Sequence, residues 1–252
     1  MLRVALRKTS LVDYPGRVAA VVFFPGCNLR CPWCHNSPLV EPRPAGEREK
    51  PGESDLVDLG SALELIERRR FLIGGVVFSG GEPLLRRELG DSIRRVREAG
   101  LRVKLDTNGT SPAALESLLS DGSTRPDYVA LDLKLAPRRY GELFPVGGLG
   151  SAAAVGETGR ELGRSAALLA ASGAEHEFRS LAFGSGFFAA SDIEALAPLV
   201  DGSPWYFSPF RPGGCLDPLW DSAPAGSPED AGRLAAFARS LGKDARVRGE
   251  PG

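Results

Sequence analysis

The sequence predicts an α/β fold in which a curved parallel sheet forms a partial (β/α)6 barrel with its helices on the outside. Short apolar runs alternate with amphipathic stretches about six times, a pattern that demands a parallel sheet with right-handed crossovers. Six such units fall short of the eight that close a full barrel, so the sheet should stay open on one side. The 252 residues are near the upper size for a single hydrophobic core.

Six runs predict the strands of this sheet. Each run is short, apolar or rich in β-branched and aromatic residues, and bounded by turn-forming residues. In chain order they are Val18 to Phe24, Gly75 to Ser79, Arg102 to Asp106, Tyr128 to Leu133, Glu177 to Phe183 and Trp205 to Phe207. Two outer stretches, Leu2 to Leu6 and Ala245 to Arg248, predict a short edge strand and a short final strand.

Helices are predicted between the strands from apolar residues at helical spacing. The first helix, capped by Ser54 or Asp55, has four apolar residues on one face: Leu56, Leu59, Leu63 and Ile66. The others run from after Pro83 to about Ala99, and over Pro112 to Leu119, Glu161 to Ala171, Asp192 to Val200 and Glu229 to Leu241. Pro- and Gly-rich composition predicts loops at Pro38 to Ser54, Pro145 to Gly156 and Phe210 to Pro228.

Composition and charge narrow the class of protein. The formal net charge is −1, with 31 Lys and Arg against 32 Asp and Glu, so a broad basic field for nucleic acid is not expected. No apolar run approaches the roughly eighteen residues of a membrane span. Residues 1–8 alternate charge with apolar side chains, unlike a signal peptide. We therefore expect a cytoplasmic protein with no nucleic-acid partner and no membrane partner.

The most informative stretch is residues 27–36, Cys-Asn-Leu-Arg-Cys-Pro-Trp-Cys-His-Asn, which follows the first predicted strand. It holds three of the four cysteines, spaced C-x3-C-x2-C. Thiolates so close in sequence can converge on one soft metal centre, and closed zinc or iron–sulfur sites usually take four protein ligands. A cubane iron–sulfur cluster held by Cys27, Cys31 and Cys34 would leave one iron open to a substrate or cofactor.

Two alternatives remain for these cysteines. One is a structural zinc site with His35 as the fourth ligand, although zinc ligands usually come as two separated pairs. The other is a disulfide, which suits an odd cysteine cluster in a reducing compartment less well. Cys215, the fourth cysteine, is expected to be an ordinary thiol.

Polar residues and glycines follow the ends of the predicted strands, where the chemistry of parallel α/β folds collects. In strand order these are Cys27, Gly80-Gly81, Asp106-Thr107-Asn108, Lys134 and Ser208-Pro209-Phe210-Arg211, the last after the sixth strand.

The cysteine spacing, with Trp33 directly before the last cysteine, resembles the signature of the radical S-adenosylmethionine (SAM) enzymes. The flanking segments 10–16, 23–29 and 34–36 resemble the glycyl-radical-enzyme activases, above all the activating proteins of anaerobic ribonucleoside-triphosphate reductase. The resemblance runs from about Ser10 to Pro218. It implies a single domain over 1–252, with a core at about 14–210 and a C-terminal loop and helix over 211–252.

The resemblance also implies two cofactors, a 4Fe–4S cluster on the three cysteines and SAM on its open iron. The segment Gly80, Gly81, Glu82 and Pro83 looks like the family's motif for the SAM amino group. Lys134 would offer a cation to the SAM carboxylate. Asp106 and Asp132 would act on the ribose side, or would hold a monovalent cation together with Thr107 and the Ala130 carbonyl.

The resemblance implies further contacts with SAM. Trp33 and His35 would line the adenine side, and Asn108 and Leu133 belong to the two aspartate motifs. Arg179 would either reach the SAM carboxylate or pair with an acid. Arg211 stands where some activases have a histidine near the cofactor, so the role of that histidine does not transfer directly to Arg211.

For function, the resemblance implies an activase that removes a hydrogen atom from a backbone glycine of a glycyl-radical enzyme, with anaerobic ribonucleotide reductase as the expected partner. It also implies an electron donor such as flavodoxin. A single cysteine beyond the three gives no second set for an auxiliary cluster, which disfavours the radical SAM classes that need one. The rival readings are a radical SAM enzyme for a small molecule, such as a modified base, and a zinc-stabilised binding module without catalysis.

Overall fold

The computed structural model of the chain describes residues 2–40, 56–144 and 152–249, with side chains of 152–155 left aside. The chain forms two compact units. The first comprises Met1–Asn28, Asn36–Thr107 and Ala113–Val129, and the second comprises Leu29–His35, Asn108–Pro112 and Ala130–Gly252. Each unit is described by itself.

The first unit is built on strands that pair around a central parallel core. Its elements are β1 (Arg3–Ser10), β2 (Ala19–Phe24), α1 (Ser37–Val40), β3 (Leu56–Asp58), α2 (Leu59–Arg68), β4 (Gly75–Gly80), α3 (Leu89–Glu98), β5 (Arg102–Thr107) and most of α4 (Pro112–Ser120). The strand order is β3-β1-β2-β4-β5. Strand β1 runs antiparallel to both β2 and β3, whereas β2, β4 and β5 are parallel.

The parallel strands of the first unit have apolar, fully buried centres, as expected where both faces of a sheet are covered. Val22 pairs with Phe78 and Phe78 with Leu105, and each of these three side chains is 0 % exposed. Continuous burial is typical of parallel strands, whose crossover helices cover the sheet faces. In this register β2 and β4 end at the same edge of the sheet. Cys27 follows the end of β2, and Gly80 is the last residue of β4.

The second unit repeats the pattern with its own strands. Its elements are α5 (Ala152–Ser172), β7 (Glu175–Ala182), α6 (Ala190–Leu196), β8 (Trp205–Pro209), α7 (Pro228–Ser240) and β9 (Ala245–Val247), with 3-10 turns at Pro137–Leu143, Ala197–Leu199 and Pro218–Ser222. Strand β6 (Tyr128–Asp132) contributes its last three residues to this unit and lies beside β7. Strands β7, β8 and β9 are parallel, with Phe178 opposite Trp205.

The predicted fold class is confirmed: the chain is α/β, its sheet pairing is mostly parallel, and all six predicted strands are present. The stretch at the N-terminus forms a strand as expected, but it is longer than predicted. It is also not an edge strand, because β1 has β2 on one side and β3 on the other.

The predicted start of the first helix is wrong. Leu56 pairs with Ala5 of β1, so residues 56–58 extend as β3 instead of opening the helix. The cap is Asp58, whose carboxylate accepts a hydrogen bond from the Ser61 amide at 3.2 Å. Ser54 and Asp55, the predicted caps, lie outside the described residues.

Other boundaries also differ from the prediction. The helix expected after Pro83 is interrupted: a 3-10 turn covers Pro83–Leu85, and α3 begins at Leu89. Helix α5 begins at Ala152, nine residues before the predicted Glu161, so the predicted loop ends earlier, its residues 145–151 lying outside the described part. Within the loop predicted from Pro38, residues 38–40 belong to α1 and residues 41–54 are outside the described part.

Candidate cofactor-binding site

The backbone that carries Cys27 is fixed by the short helix α1. The Gly26 amide donates to the Leu39 carbonyl at 2.5 Å, and the Cys27 amide donates to the Val40 carbonyl at 3.1 Å. Gly26 has φ of +86°, a conformation that favours glycine. The first cysteine of the predicted ligand set therefore follows a turn that the returning chain holds in place.

The two glycines of the G-G-E-P segment lie against this same turn. The Gly81 amide donates to the Phe24 carbonyl at 2.9 Å, and the Glu82 amide donates to the Gly26 carbonyl at 2.8 Å. A Cβ at Gly80 would lie 2.3 Å from backbone atoms of Phe24, and one at Gly81 would lie 2.1 Å from the Gly26 oxygen. Backbone packing alone therefore demands glycine at both positions.

Glu82 is a buried carboxylate that holds the segment together. Its side chain is 1 % exposed and accepts hydrogen bonds from the Leu84 amide at 3.1 Å and the Thr107 hydroxyl at 2.8 Å. The first bond caps the turn that Pro83 begins, and the second ties the segment to the end of β5. Glu82 therefore fixes the loop that carries the two glycines.

The aspartate motif at the end of β5 is held by local contacts. Asp106 forms an ion pair with Lys104, which is almost fully buried. The side-chain oxygen of Asn108 accepts from the Thr110 amide at 3.0 Å and the Thr110 hydroxyl at 2.7 Å, so it shapes the turn after the strand. These contacts match the turn role that the sequence left open for this motif.

In the second unit, Cys31 and Cys34 lie in a tight turn in which the Cys34 amide donates to the Cys31 carbonyl at 3.0 Å. The turn is anchored at both ends. The Arg30 amide donates to the Leu143 carbonyl at 2.6 Å, and the Asp217 amide donates to the Pro32 carbonyl at 2.9 Å. No disulfide joins the cysteines, all four of which are described.

Trp33 and His35 leave this turn in different directions. Trp33 is 4 % exposed and packs edge-on against Phe183 and Phe187 at ring distances of 5.1 and 5.3 Å. His35 stacks on Phe210 at 5.9 Å, and its Nε2 lies 2.6 Å from the Arg211 carbonyl. Arg211 thus meets the cysteine turn through its backbone.

A cluster of three charged side chains lies at the end of β6 and on β7. Asp132 accepts from Lys134 Nζ at 3.1 Å and from Arg179 Nε at 2.8 Å. Burial opposes ionisation of this carboxyl, but the charges of Arg179 and Lys134 outweigh it and lower the pKa of Asp132 to about 2. Burial likewise disfavours the Lys134 ammonium, yet Asp132 and Cys31 raise the pKa of Lys134 above its ordinary value.

These charged groups border a cavity of about 270 Å³. It is lined by Trp33, Asp132, Leu133, Lys134, Arg179, Ser180, Leu181 and Ser208. Five of the eight, Trp33, Asp132, Leu133, Lys134 and Arg179, were predicted from the sequence as cofactor contacts. The volume is below the range usual for a whole drug-sized ligand, so the cavity suits one part of such a molecule.

The sequence prediction did not include Ser180, Leu181 and Ser208 among the cofactor contacts. Ser180 and Leu181 lie on β7 and Ser208 lies on β8, where their side chains read as ordinary strand residues. Tyr140 was missed as well: it is fully buried, and its hydroxyl accepts a long hydrogen bond of 3.4 Å from the Lys134 amide. Burial raises the pKa of the Tyr140 hydroxyl. Position near the carboxyl ends of strands was the available signal for all but Tyr140.

Comparison with known families now assigns the chain. Residues 21–162, more than half of the sequence, match the model of the radical SAM superfamily. The chain belongs to the radical SAM superfamily, whose members use a 4Fe–4S cluster and SAM.

Three curated relatives refine this placement. A candidate glycyl-radical enzyme activating enzyme of Methanocaldococcus jannaschii is 36 % identical over 135 residues, which are 53 % of this chain and 50 % of the relative. The pyruvate formate-lyase-activating enzyme of Clostridium pasteurianum is 37 % identical over 131 residues, 52 % of this chain and 51 % of the relative. A 7-carboxy-7-deazaguanine synthase of Rhodospirillum rubrum is 33 % identical over 150 residues, 54 % of this chain and 57 % of the relative. The chain spans about half the length of the curated relatives it matches.

Two solved structures share the fold over nearly the whole chain. A radical SAM methyltransferase from Sphaerobacter thermophilus has a TM-score of 0.60 and 18 % identity, covering 98 % of this chain and 77 % of its own. QueE from Escherichia coli has a TM-score of 0.56 and 17 % identity, covering 98 % of this chain and 93 % of its own. At this identity the likeness shows the radical SAM fold alone.

The residues present fit the two cofactors by their chemistry. The cysteine stretch supplies three thiols, the soft ligands that iron–sulfur clusters take. Among the described residues, no three His, Cys, Asp or Glu side chains are grouped to hold a single metal ion, a grouping that a cubane does not require because each thiolate binds its own iron. The cavity offers two cations and one carboxylate, which match one part of SAM, its amino-acid end with the adjoining ribose.

Proposed function

We propose that this protein is a radical SAM activase of a glycyl-radical enzyme. The observation that carries the proposal is the cavity in which Trp33, from the cysteine motif, faces Asp132, Lys134 and Arg179. The names of the activating-enzyme relatives support the substrate class. When both are bound, the reduced cluster would supply one electron to SAM and so break its sulfur–C5′ bond, which would give methionine and a 5′-deoxyadenosyl group able to take a hydrogen atom from a glycine Cα.

The chain's own residues hold and orient these groups. Cys27, Cys31 and Cys34 bind three irons of the cluster. In the cavity, Lys134 and Arg179 bind the SAM carboxylate and Asp132 binds the ribose, because cations suit the first group and an acceptor suits the second. Trp33 gives the adenine an aromatic face.

The other contacts are carried over from the family. Gly80, Gly81, Glu82 and Pro83 hold the SAM amino group through their backbone, and His35 lies on the adenine side. Asp106 and Asp132 are already paired with lysine or arginine side chains, which disfavours a monovalent cation between them and Thr107. Dependence of SAM binding on potassium would reverse that choice. Asn108, Leu133 and Arg211 act through the backbone turns they form.

The partner we propose is an anaerobic ribonucleoside-triphosphate reductase, and the electron donor is a flavodoxin-like protein.

We propose a cytoplasmic location, because thiols that hold an oxygen-sensitive cluster suit a reducing compartment. No helix in the described part of the chain has both the length and the apolar character needed to cross a bilayer. We propose neither a nucleic acid nor a membrane as partner, and we keep the single-domain assignment over 1–252.

The first test is anaerobic reconstitution with iron and sulfide, followed by electron paramagnetic resonance with and without SAM. We expect a reduced four-iron signal that shifts when SAM is added. Cys27→Ala, Cys31→Ala and Cys34→Ala should each lose the cluster, whereas Cys215→Ala is the matched control and should keep it. Tight zinc without iron or sulfide would instead identify a zinc-stabilised module.

The second test addresses the partner. The reconstituted protein, a reductant and SAM are mixed with a purified anaerobic ribonucleotide reductase or, in parallel, with a pyruvate formate-lyase. A glycyl-radical doublet in the reductase alone supports the proposed partner. A doublet only in the lyase keeps the activase and changes the partner, and no doublet in either enzyme contradicts the activase assignment.

A second candidate function is synthesis of a modified base from a small molecule. It is favoured by the 7-carboxy-7-deazaguanine synthase relative. Cleavage of SAM that depends on an added small-molecule substrate, without any protein partner, would establish it. Cleavage that responds only to a glycyl-radical enzyme would exclude it.

A further inference from the structure

Leu133, the residue between Asp132 and Lys134, is hydrogen-bonded at both its amide and its carbonyl. The Leu133 amide donates to the Arg179 carbonyl at 2.8 Å, and the Leu133 carbonyl accepts from the Ser180 hydroxyl at 2.7 Å. Leu133 is 0 % exposed. Leu133 connects the two charged residues. Its amide bond therefore fixes the backbone on the Asp132 side, and its carbonyl bond fixes the backbone on the Lys134 side.

The Ser180 hydroxyl is itself oriented by Trp205. The indole Nε1 of Trp205 lies 3.0 Å from the Ser180 oxygen. An indole N–H can only donate, so the Ser180 oxygen accepts from it and directs its single proton to the Leu133 carbonyl. Trp205 is 0 % exposed and packs on Phe207 at a ring distance of 4.9 Å, so the donor is held firmly.

We propose that Ser180 and Trp205 are positioning residues for the amino-acid end of SAM. They act through the Leu133 carbonyl, which belongs to the peptide group leading into Lys134, and the inference rests on the proposed function of this cavity. Removing the Ser180 proton or the Trp205 N–H leaves a buried carbonyl or hydroxyl without its donor. The Leu133–Lys134 peptide group then shifts to recover a hydrogen bond and the Lys134 ammonium shifts with it, whereas the Leu133 amide still holds the Asp132 side through the Arg179 carbonyl.

The test compares ligand affinities of the anaerobically reconstituted full chain by equilibrium dialysis. The ligands are SAM and 5′-methylthioadenosine, which has the adenosine part but lacks the amino-acid end. The variants are Ser180→Ala, Ser180→Thr, which keeps a hydroxyl, and Trp205→Phe, which keeps a buried ring. Ser172→Ala is the control, because the Ser172 hydroxyl also donates to a carbonyl, that of Leu169, and accepts from an amide, that of Ala174.

We expect Ser180→Ala and Trp205→Phe to weaken SAM binding about tenfold and to change 5′-methylthioadenosine binding less than about twofold. Ser180→Thr should restore SAM binding to within about threefold of the wild type, and Ser172→Ala should leave both affinities unchanged. Iron content is measured in each variant. If Ser180→Ala does not fold, Trp205→Phe decides the matter.

Equal loss of affinity for both ligands would overturn the proposal, because it would mean general collapse of the cavity. Unchanged SAM affinity in Ser180→Ala and Trp205→Phe would overturn it as well, while leaving the proposed function intact. A wild-type protein that binds neither ligand would instead refute the SAM site itself and this inference with it.

Discussion

Two aspartates of the second unit are paired with arginine in different ways. Asp192 is 0 % exposed, and its carboxylate accepts from the Ala136 amide at 2.9 Å, the Ala189 amide at 3.0 Å and Arg139 Nη1 at 2.8 Å. The Asp132 side chain is 29 % exposed and is held by the side chains of Lys134 and Arg179.

The difference separates a structural carboxylate from a binding carboxylate. Backbone amides cannot leave Asp192 without unfolding the segments that carry them, so this residue joins the turn after Lys134 to the start of α6. Lysine and arginine side chains can turn toward a ligand at small cost, and Asp132 borders the cavity where such a ligand would lie. Charge alone would not have distinguished the two.

The largest effect is expected from Asp192→Ala. It removes the acceptor of the buried Ala136 amide and of the half-buried Ala189 amide, and it breaks the pair with Arg139, so the free energy of unfolding should fall by about 3–5 kcal/mol. Urea unfolding of the cluster-free chain measures this. A loss of about 2 kcal/mol or less would remove the contrast with Asp132.

Asp132→Asn should reverse the balance between stability and binding. Because the lowered pKa of Asp132 reflects its two cationic partners, and the group is partly exposed, we expect the free energy of unfolding to fall by about 1–2 kcal/mol, less than for Asp192→Ala. SAM affinity should fall about tenfold or more, since the ribose loses a charged acceptor. Asp201→Asn, which removes an aspartate paired with His176 at 3.0 Å, is the control and should leave SAM affinity unchanged.

The pH dependence of stability tests the same pair. The pKa of Asp132 is about 2 in the folded chain against an ordinary 3.8. A lowered folded pKa means that the ionised carboxyl stabilises the fold above about pH 4, and that this contribution is lost as the pH falls toward 2. The difference in unfolding free energy between the wild type and Asp132→Asn should shrink over that window. A difference that stays constant from pH 6 to pH 2 would contradict the pairing.

The smallest effect concerns Lys134. Its raised pKa keeps the ammonium protonated through pH 9, so its contribution to SAM binding should not depend on pH in the neutral range. We expect the ratio of SAM dissociation constants for Lys134→Gln and the wild type to change less than about twofold between pH 7 and pH 9. Taking the ratio cancels titration of the ligand. A ratio that falls steadily with rising pH would show that Lys134 titrates in this range.

The sequence predicted the cavity best where function follows directly from the end of a strand. Lys134 could be found because it follows an apolar strand and so lies at the sheet edge, whereas Asp132 and Trp33 came from the resemblance to the radical SAM enzymes. Ser180 and Trp205 could not, since their bond depends on how β7 and β8 are aligned, with Phe178 opposite Trp205. Strand periodicity marks both residues only as buried.

The fold was predictable to the same depth. The six predicted strands follow from local apolar runs, whereas β3 forms because Leu56 pairs with Ala5, some fifty positions away in the sequence. The start of helix α5 was predicted too late, because the run of small residues that begins at Ala152 shows little helical periodicity in the sequence. The pairing of Arg179 with Asp132, one of the two roles left open, became visible only from their 2.8 Å distance, and the contact of Arg179 with SAM stays a proposal.

The close packing of Gly80 and Gly81 has a consequence for how related sequences should be interpreted. A side chain at either glycine would collide with the backbone of residues 24 to 26 whether or not a cofactor is ever bound. Selection for a foldable chain is therefore enough to preserve this glycine pair. A homologue that lost its cysteines and all catalysis should still keep both glycines. The glycine pair therefore indicates common descent, whereas the three thiols distinguish an active enzyme from an inactive homologue.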